Sequence, residues 1–184
     1  TITGTTTLVT SANDATITLN DADNAFTGAL TITTNDNSGT DAAVIIDGGT
    51  TALVIAASTI DGNLTLTGGA STSGSTYAIM DSGTVTVGGN LIATTDDNDG
   101  VIDMGTLVVT GTITLTTEGS GAATIDNGTA NIDIAAASVG GNLTLTSGAA
   151  AGITDSGTVT VGGNLAATTD ANNGAIDLGT LAVD

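Results

Sequence analysis

Six copies of Asp-x-Gly-Thr punctuate the chain, beginning at Asp47, Asp81, Asp103, Asp126, Asp155 and Asp177, and Asn13 holds the Asp position in a degenerate earlier copy. A carboxylate that recurs once per structural unit has three chemistries open to it. It can ligate a hard cation such as Ca²⁺ together with turn carbonyls. It can act as one half of a carboxylic acid–carboxylate pair. It can also bond the amide two residues on and close its own turn, with Gly supplying positive φ. Stacked in one column, the six carboxylates repel one another unless they are protonated, splayed into solvent or bridged by cations. The run "TTDDNDG", with Asp96, Asp97 and Asp99, forms a second acidic cluster, echoed by Asp170 in "TTDANNG".

The rest of the composition narrows these options. The 184 residues include no Lys, Arg, His or Cys, and the formal charge is −19. Without cations the chain cannot displace counterions from nucleic-acid phosphates, and anionic membranes repel it. Proton abstraction from uronates by Lys or Arg is excluded. A glycan hydrolase wants aromatic platforms, and Phe26 and Tyr77 are the only rings. The sequence therefore predicts no enzyme and no organic cofactor. Ca²⁺ is the cofactor expected, at the six turn aspartates or at Asp96, Asp97 and Asp99. The Asp-x-Asn-x-Gly spacing in "DDNDG" is similar to the start of an EF-hand loop but lacks the downstream Glu. Asn63, Asn127 and Asn142 stand in Asn-x-Thr sequons.

The elements that must carry these residues are short strands. "DSGTVTVGGNL" occurs at 81–91 and again, unchanged, at 155–165. A second signature, Gly and a small polar residue followed by alternating apolar and Thr residues, starts at Gly28, Gly62, Gly89, Gly111, Gly141 and Gly163. The alternation has the period of a strand. Successive copies lie 22 to 34 residues apart, which suits one turn of a β-solenoid. The fold expected is all-β: a single parallel β-solenoid domain over 1–184, of about seven coils. Residues 26–108 and 109–182 form an internal duplication, and 1–25 a degenerate first coil. Stacking predicts one inward column of Leu30, Leu64, Leu91, Ile113, Leu143 and Leu165. Ile32, Leu66, Ala93, Leu115, Leu145 and Ala167 would form the next. Turns are expected at Gly49, Gly83, Gly105, Gly128, Gly157 and Gly179, and Thr columns outside.

The repeat style of "GTVTVGGNL" resembles the parallel β-helix segments of large bacterial surface proteins, the filamentous-haemagglutinin type and related giant adhesins, over nearly the whole chain. The resemblance implies a right-handed β-helix at a cell surface, acting as a stalk or filament. The function expected is therefore that of an extracellular structural protein, assembling with itself head-to-tail or laterally and bridged by divalent cations. The last coil, "GNLAATTDANNGAIDLGTLAV", is as regular as an interior one, so the stack is expected to continue. Two other readings belong to the same sequence. One is an adhesin module, for which the 68–80 insertion carrying Tyr77 is the distinctive loop. The other is an ice-binding protein using its outward Thr columns.

Overall fold

A computed structural model describes residues 1–35, 42–69 and 77–184, without the side chains of Asp97 and Asn98. Among these residues every regular element is a strand, and every strand pair is parallel. β-Branched Thr, Val and Ile dominate the strands, and Gly and Asp occupy the bends between them, as strand sterics and turn chemistry require. The strands form one eleven-stranded and one ten-stranded sheet. The chain alternates between the two through about seven turns of a β-solenoid.

Inside lies one continuous aliphatic core. Leu30, Ile32, Leu53, Ile55, Leu64, Leu66, Leu91, Ile113, Leu143 and Leu145 are fully buried or nearly so, and Phe26 is the one aromatic in the core. Like residues stack on like at the strand spacing of roughly 4.8 Å, so small and branched side chains fill a narrow interior without large rings. Buried hydroxyls close the corners. Thr117 Oγ1 donates to the Gly121 carbonyl (2.7 Å) and accepts the Gly140 amide (3.0 Å), while Ser147 Oγ donates to the Ala130 carbonyl (2.9 Å).

The expected single inward column is split between the two sheets. Leu64, Leu91 and Ile113 are in register on the ten-stranded sheet. Leu143 and Leu165 are in register on the eleven-stranded sheet, where Leu30 stands against Thr6 and Ile55. The split follows from how each coil is divided. From Leu64 to Val109 the ten-stranded sheet receives one long strand per coil, Leu64–Gly68 and then Leu91–Asn98. The other sheet receives two short ones, Tyr77–Asp81 with Val85–Val87 and then Val101–Met104 with Leu107–Val109. Three undivided strands then follow one another, Ile113–Glu118, Ala123–Asp126 and Ile132–Val139, alternating between the sheets, and the roles exchange. Afterwards Leu143–Ser147 and Leu165–Thr169 belong to the eleven-stranded sheet, and the short pairs Ile153–Asp155 with Thr158–Val161 and Ile176–Asp177 with Thr180–Val183 to the ten-stranded one. Equivalent pairs therefore recur on opposite sheets. Val44↔Leu64 returns as Ala123↔Leu143, and Val85↔Leu107 returns as Val159↔Leu181.

Candidate functional site

The six turn aspartates do not form a column. Asp47, Asp155 and Asp177 lie in the ten-stranded sheet and Asp81, Asp103 and Asp126 in the eleven-stranded one. No two of them are register partners: Asp47 and Asp126 stand opposite Thr67 and Thr146, Asp81 opposite Ile55, Asp103 opposite Met80 and Thr124, Asp155 opposite Ile134, and Asp177 opposite Thr154. The stack of six is replaced by diagonal neighbours on adjacent strands, Asp81 with Asp103 and Asp155 with Asp177. The exchange of sheets and the shifted register of the turns both separate the carboxylates.

One motif has three structural forms. At Asp47 and Asp126 the carboxylate accepts the amide two residues on, Gly49 N–H (2.8 Å) and Gly128 N–H (2.9 Å). These two glycines have φ of 55° and 54°, which Gly tolerates without Cβ strain. Asp81 and Asp155 instead reach into the following coil. Asp81 accepts Gly105 N–H (2.7 Å) on one oxygen and the Thr106 hydroxyl on the other. Asp155 accepts Gly179 N–H (2.5 Å) and Thr180 N–H (3.1 Å). Positive φ is therefore not needed at Gly83, Gly105, Gly157 or Gly179: each lies at the expected bend between two strands, but none has the positive φ expected there. Asp103 and Asp177 are the third kind: their own Gly-Thr is the donor that the preceding coil's Asp holds. The two amides hold the Asp155 carboxyl below the ordinary aspartate value of 3.8, Gly179 more than Thr180.

In "TTDDNDG", Asp99 makes the same kind of clamp. It adopts φ of 63° and accepts both the hydroxyl (2.6 Å) and the amide (2.7 Å) of Ser120. The hydroxyl first and the amide second lower its pKa. Asp96 is exposed on the strand Leu91–Asn98 that leads into this turn, and the Asp97 side chain lies outside the described residues. Asp81, Ser82, Gly83, Asp103, Gly105 and Thr106 line an open groove of about 310 Å³. Among the described residues no three carboxylates gather at one point. Among the described residues a cation would thus meet at most two carboxylates, completed by carbonyls, water or a neighbouring molecule.

Asparagine does work that the sequence reading did not assign. Asn63 Oδ1 accepts Asn90 N–H (2.8 Å), Asn90 Oδ1 accepts Thr112 N–H (2.9 Å), and Asn142 Oδ1 accepts Asn164 N–H (2.9 Å). The glycine before each donor makes room, since a Cβ on Gly89 or Gly111 would lie 2.3 Å from the accepting Asn oxygen of the preceding coil. The recurring Gly-Asn-Leu at 62–64, 89–91, 141–143 and 163–165 was the available signal. Asn127 is fully buried. Its Oδ1 accepts Val109 N–H (2.7 Å), and its Nδ2 donates to the carbonyls of Val109 (3.1 Å) and Asn131 (2.6 Å). Its amide thus pairs like one residue of a strand and ends the ladder Ser58–Ile60, Val85–Val87, Leu107–Val109. With its nitrogen so engaged, it is unavailable as a glycan acceptor. Asn63 and Asn142 are exposed.

The Thr columns divide with the sheets. Thr67, Thr94 and Thr116 are in register on the ten-stranded sheet, and Thr146 and Thr168 on the other. Thr65 and Thr114 flank Ile92, and Thr144 neighbours Ala166. Thr31 and Thr33 lie on the eleven-stranded sheet. Among the described residues no helix is long and apolar enough to cross a membrane.

Residues 1–33 and 120–184, together more than half of the chain, match a family described as repeats of unknown function, DUF5649. No curated protein and no solved structure matches the chain. The turns, the asparagine ladder and the alternating strands are therefore the anatomy of a repeat array, and the chain belongs to the DUF5649 repeats.

Proposed function

We propose that this chain is a structural element outside the cell: a β-solenoid filament subunit, or a stalk segment of a large surface protein of the adhesin type. The observation that carries the reading is the use to which its polar chemistry is put. Asp81, Asp99 and Asp155, and Asn63, Asn90 and Asn142, each spend their acceptors on backbone or hydroxyl groups of the following coil. Such bonds tie coil to coil along the axis, as a rod requires. A catalytic or ligand-binding centre would instead converge its polar groups on one point.

Head-to-tail assembly extends the same parallel ladder from one copy to the next. The charge of −19 opposes contact between rods and draws in divalent cations, which can be shared between carboxylates of neighbouring rods. Electron microscopy of the purified protein, with Ca²⁺ and then with a chelator, tests this. Filaments that dissolve on chelation are the expected result. Filaments that persist would remove the cations from the account and keep the rod, whereas isolated particles under all conditions would overturn the filament.

A further inference from the structure

One outward column of the ten-stranded sheet departs from threonine in a regular way. In rung order it reads Thr18, Ile45, Thr65, Ile92, Thr114, fixed by register from coil to coil. Ile45 and Ile92 are 38% and 39% exposed. Elsewhere among the described residues, large exposed apolar side chains sit on the first and last coils or, as Tyr77, at a strand start. Beside this column runs a second one, Asp47, Thr67, Thr94, Thr116 and Ser138. From Thr65 to Thr116 these two columns carry no charge, Asp47 being the one carboxylate in them, on a chain whose formal charge is −19.

We propose that this face is where a second copy of the chain lies alongside the first. The inference rests on the rod reading above and adds a lateral contact to it. Three arguments select a second copy. Two identical solenoids share one rung spacing, so their columns stay in step along the whole contact. Alternating large and small rungs are self-complementary, as interdigitated layers must be. A two-fold axis between the Thr65 and Ile92 rungs sets each isoleucine of one copy against a threonine of the other. Finally, polyanionic rods can approach only where charge is lowest, and Asp96 and Glu118 lie exposed beyond the second column.

The size of the face sets the strength. Five rungs at roughly 4.8 Å and two columns about 7 Å apart cover on the order of 300 Å² per copy. A stable pair usually buries about 800 Å² per partner. A single chain therefore pairs weakly, and several repeats in series pair firmly. The equivalent column on the other sheet, Val54, Met80, Asp103, Thr124, Thr144 and Ala166 in rung order, has a carboxylate in its middle and no isoleucine, so the contact is one-sided and yields pairs of rods.

Sedimentation equilibrium of the whole chain up to millimolar concentration tests the proposal, in about 0.5 M NaCl to screen the charge. The expected result is a reversible dimer whose association is at least tenfold weaker in Ile45→Thr/Ile92→Thr. Unchanged circular dichroism in that variant checks the fold, and Thr144→Asp/Ala166→Asp on the opposite face should associate like the native chain. A native chain that stays monomeric throughout would overturn the lateral contact. Equal association of Ile45→Thr/Ile92→Thr would also overturn it and would place the contact at the coil ends, leaving the rod intact. A dimer that survives when no filaments form separates the two readings in the other direction.

Discussion

At Asp155 one carboxylate holds two amides of the coil that follows it. Those bonds favour the ionised form, so the folded-state pKa lies below the ordinary 3.8. A depressed carboxyl contributes stability that is present above the unfolded value and is lost as pH falls through the folded one. The melting temperature of Asp155→Asn should therefore lie below that of the native chain at pH 7, and the gap should close below about pH 4. Thermal melts at the two pH values check this. The glycines make a second residue-scale test. Gly105→Ala meets nothing within 4 Å and has no positive φ, so chemical denaturation should show a change within about 0.5 kcal/mol. Gly128→Ala, at φ of 54°, should cost about 1–2 kcal/mol. The Asp-x-Gly-Thr turn chemistry was legible at Asp47 and Asp126, where both partners lie within three residues. It was not legible at Asp81 or Asp155, because their partners are set by the register between coils, which no local spacing encodes.

At the scale of elements the ladders must end somewhere, and one of them ends on a side chain. Asn127 supplies an acceptor and a donor to Val109 at the point where the sheets exchange roles. Asn127→Ala leaves the buried amide and carbonyl of Val109 without partners and should cost about 3 kcal/mol, read from chemical denaturation. Asn90→Ala removes an acceptor from Thr112 N–H at an exposed bend and should cost only about 1 kcal/mol. Strand positions and inward residues were legible, because a period of two separates Leu from Thr in every copy of the Gly-Asn-Leu-Thr signature. Which sheet each copy joins was not. Both sheets bury aliphatic residues and expose Thr, so a strand such as Leu64–Gly68 or Leu143–Ser147 suits either one. The deciding fact is the run of undivided strands Ile113–Glu118, Ala123–Asp126 and Ile132–Val139, and it depends on bend geometry.

For the whole molecule, the exchange of sheets means that repeats before and after it present the same pattern to opposite sides of the rod. A single-sided array of Thr or Asp, as stacking every copy in one column would give, is replaced by two shorter ones. The Ile45 and Ile92 rungs then mark one side as distinct. The account stands on this register, and paired nitroxide labels measure it directly. The native chain has no Cys, so labels attach only where Cys is introduced. Thr65→Cys/Ile92→Cys places two labels on neighbouring rungs, roughly 4.8 Å apart at the backbone, and strong dipolar broadening of the spectrum is predicted. Thr31→Cys/Thr65→Cys places them on opposite outer faces of two sheets whose planes are about 10 Å apart, and little broadening is predicted. Strong broadening in the second pair, or none in the first, would contradict the account.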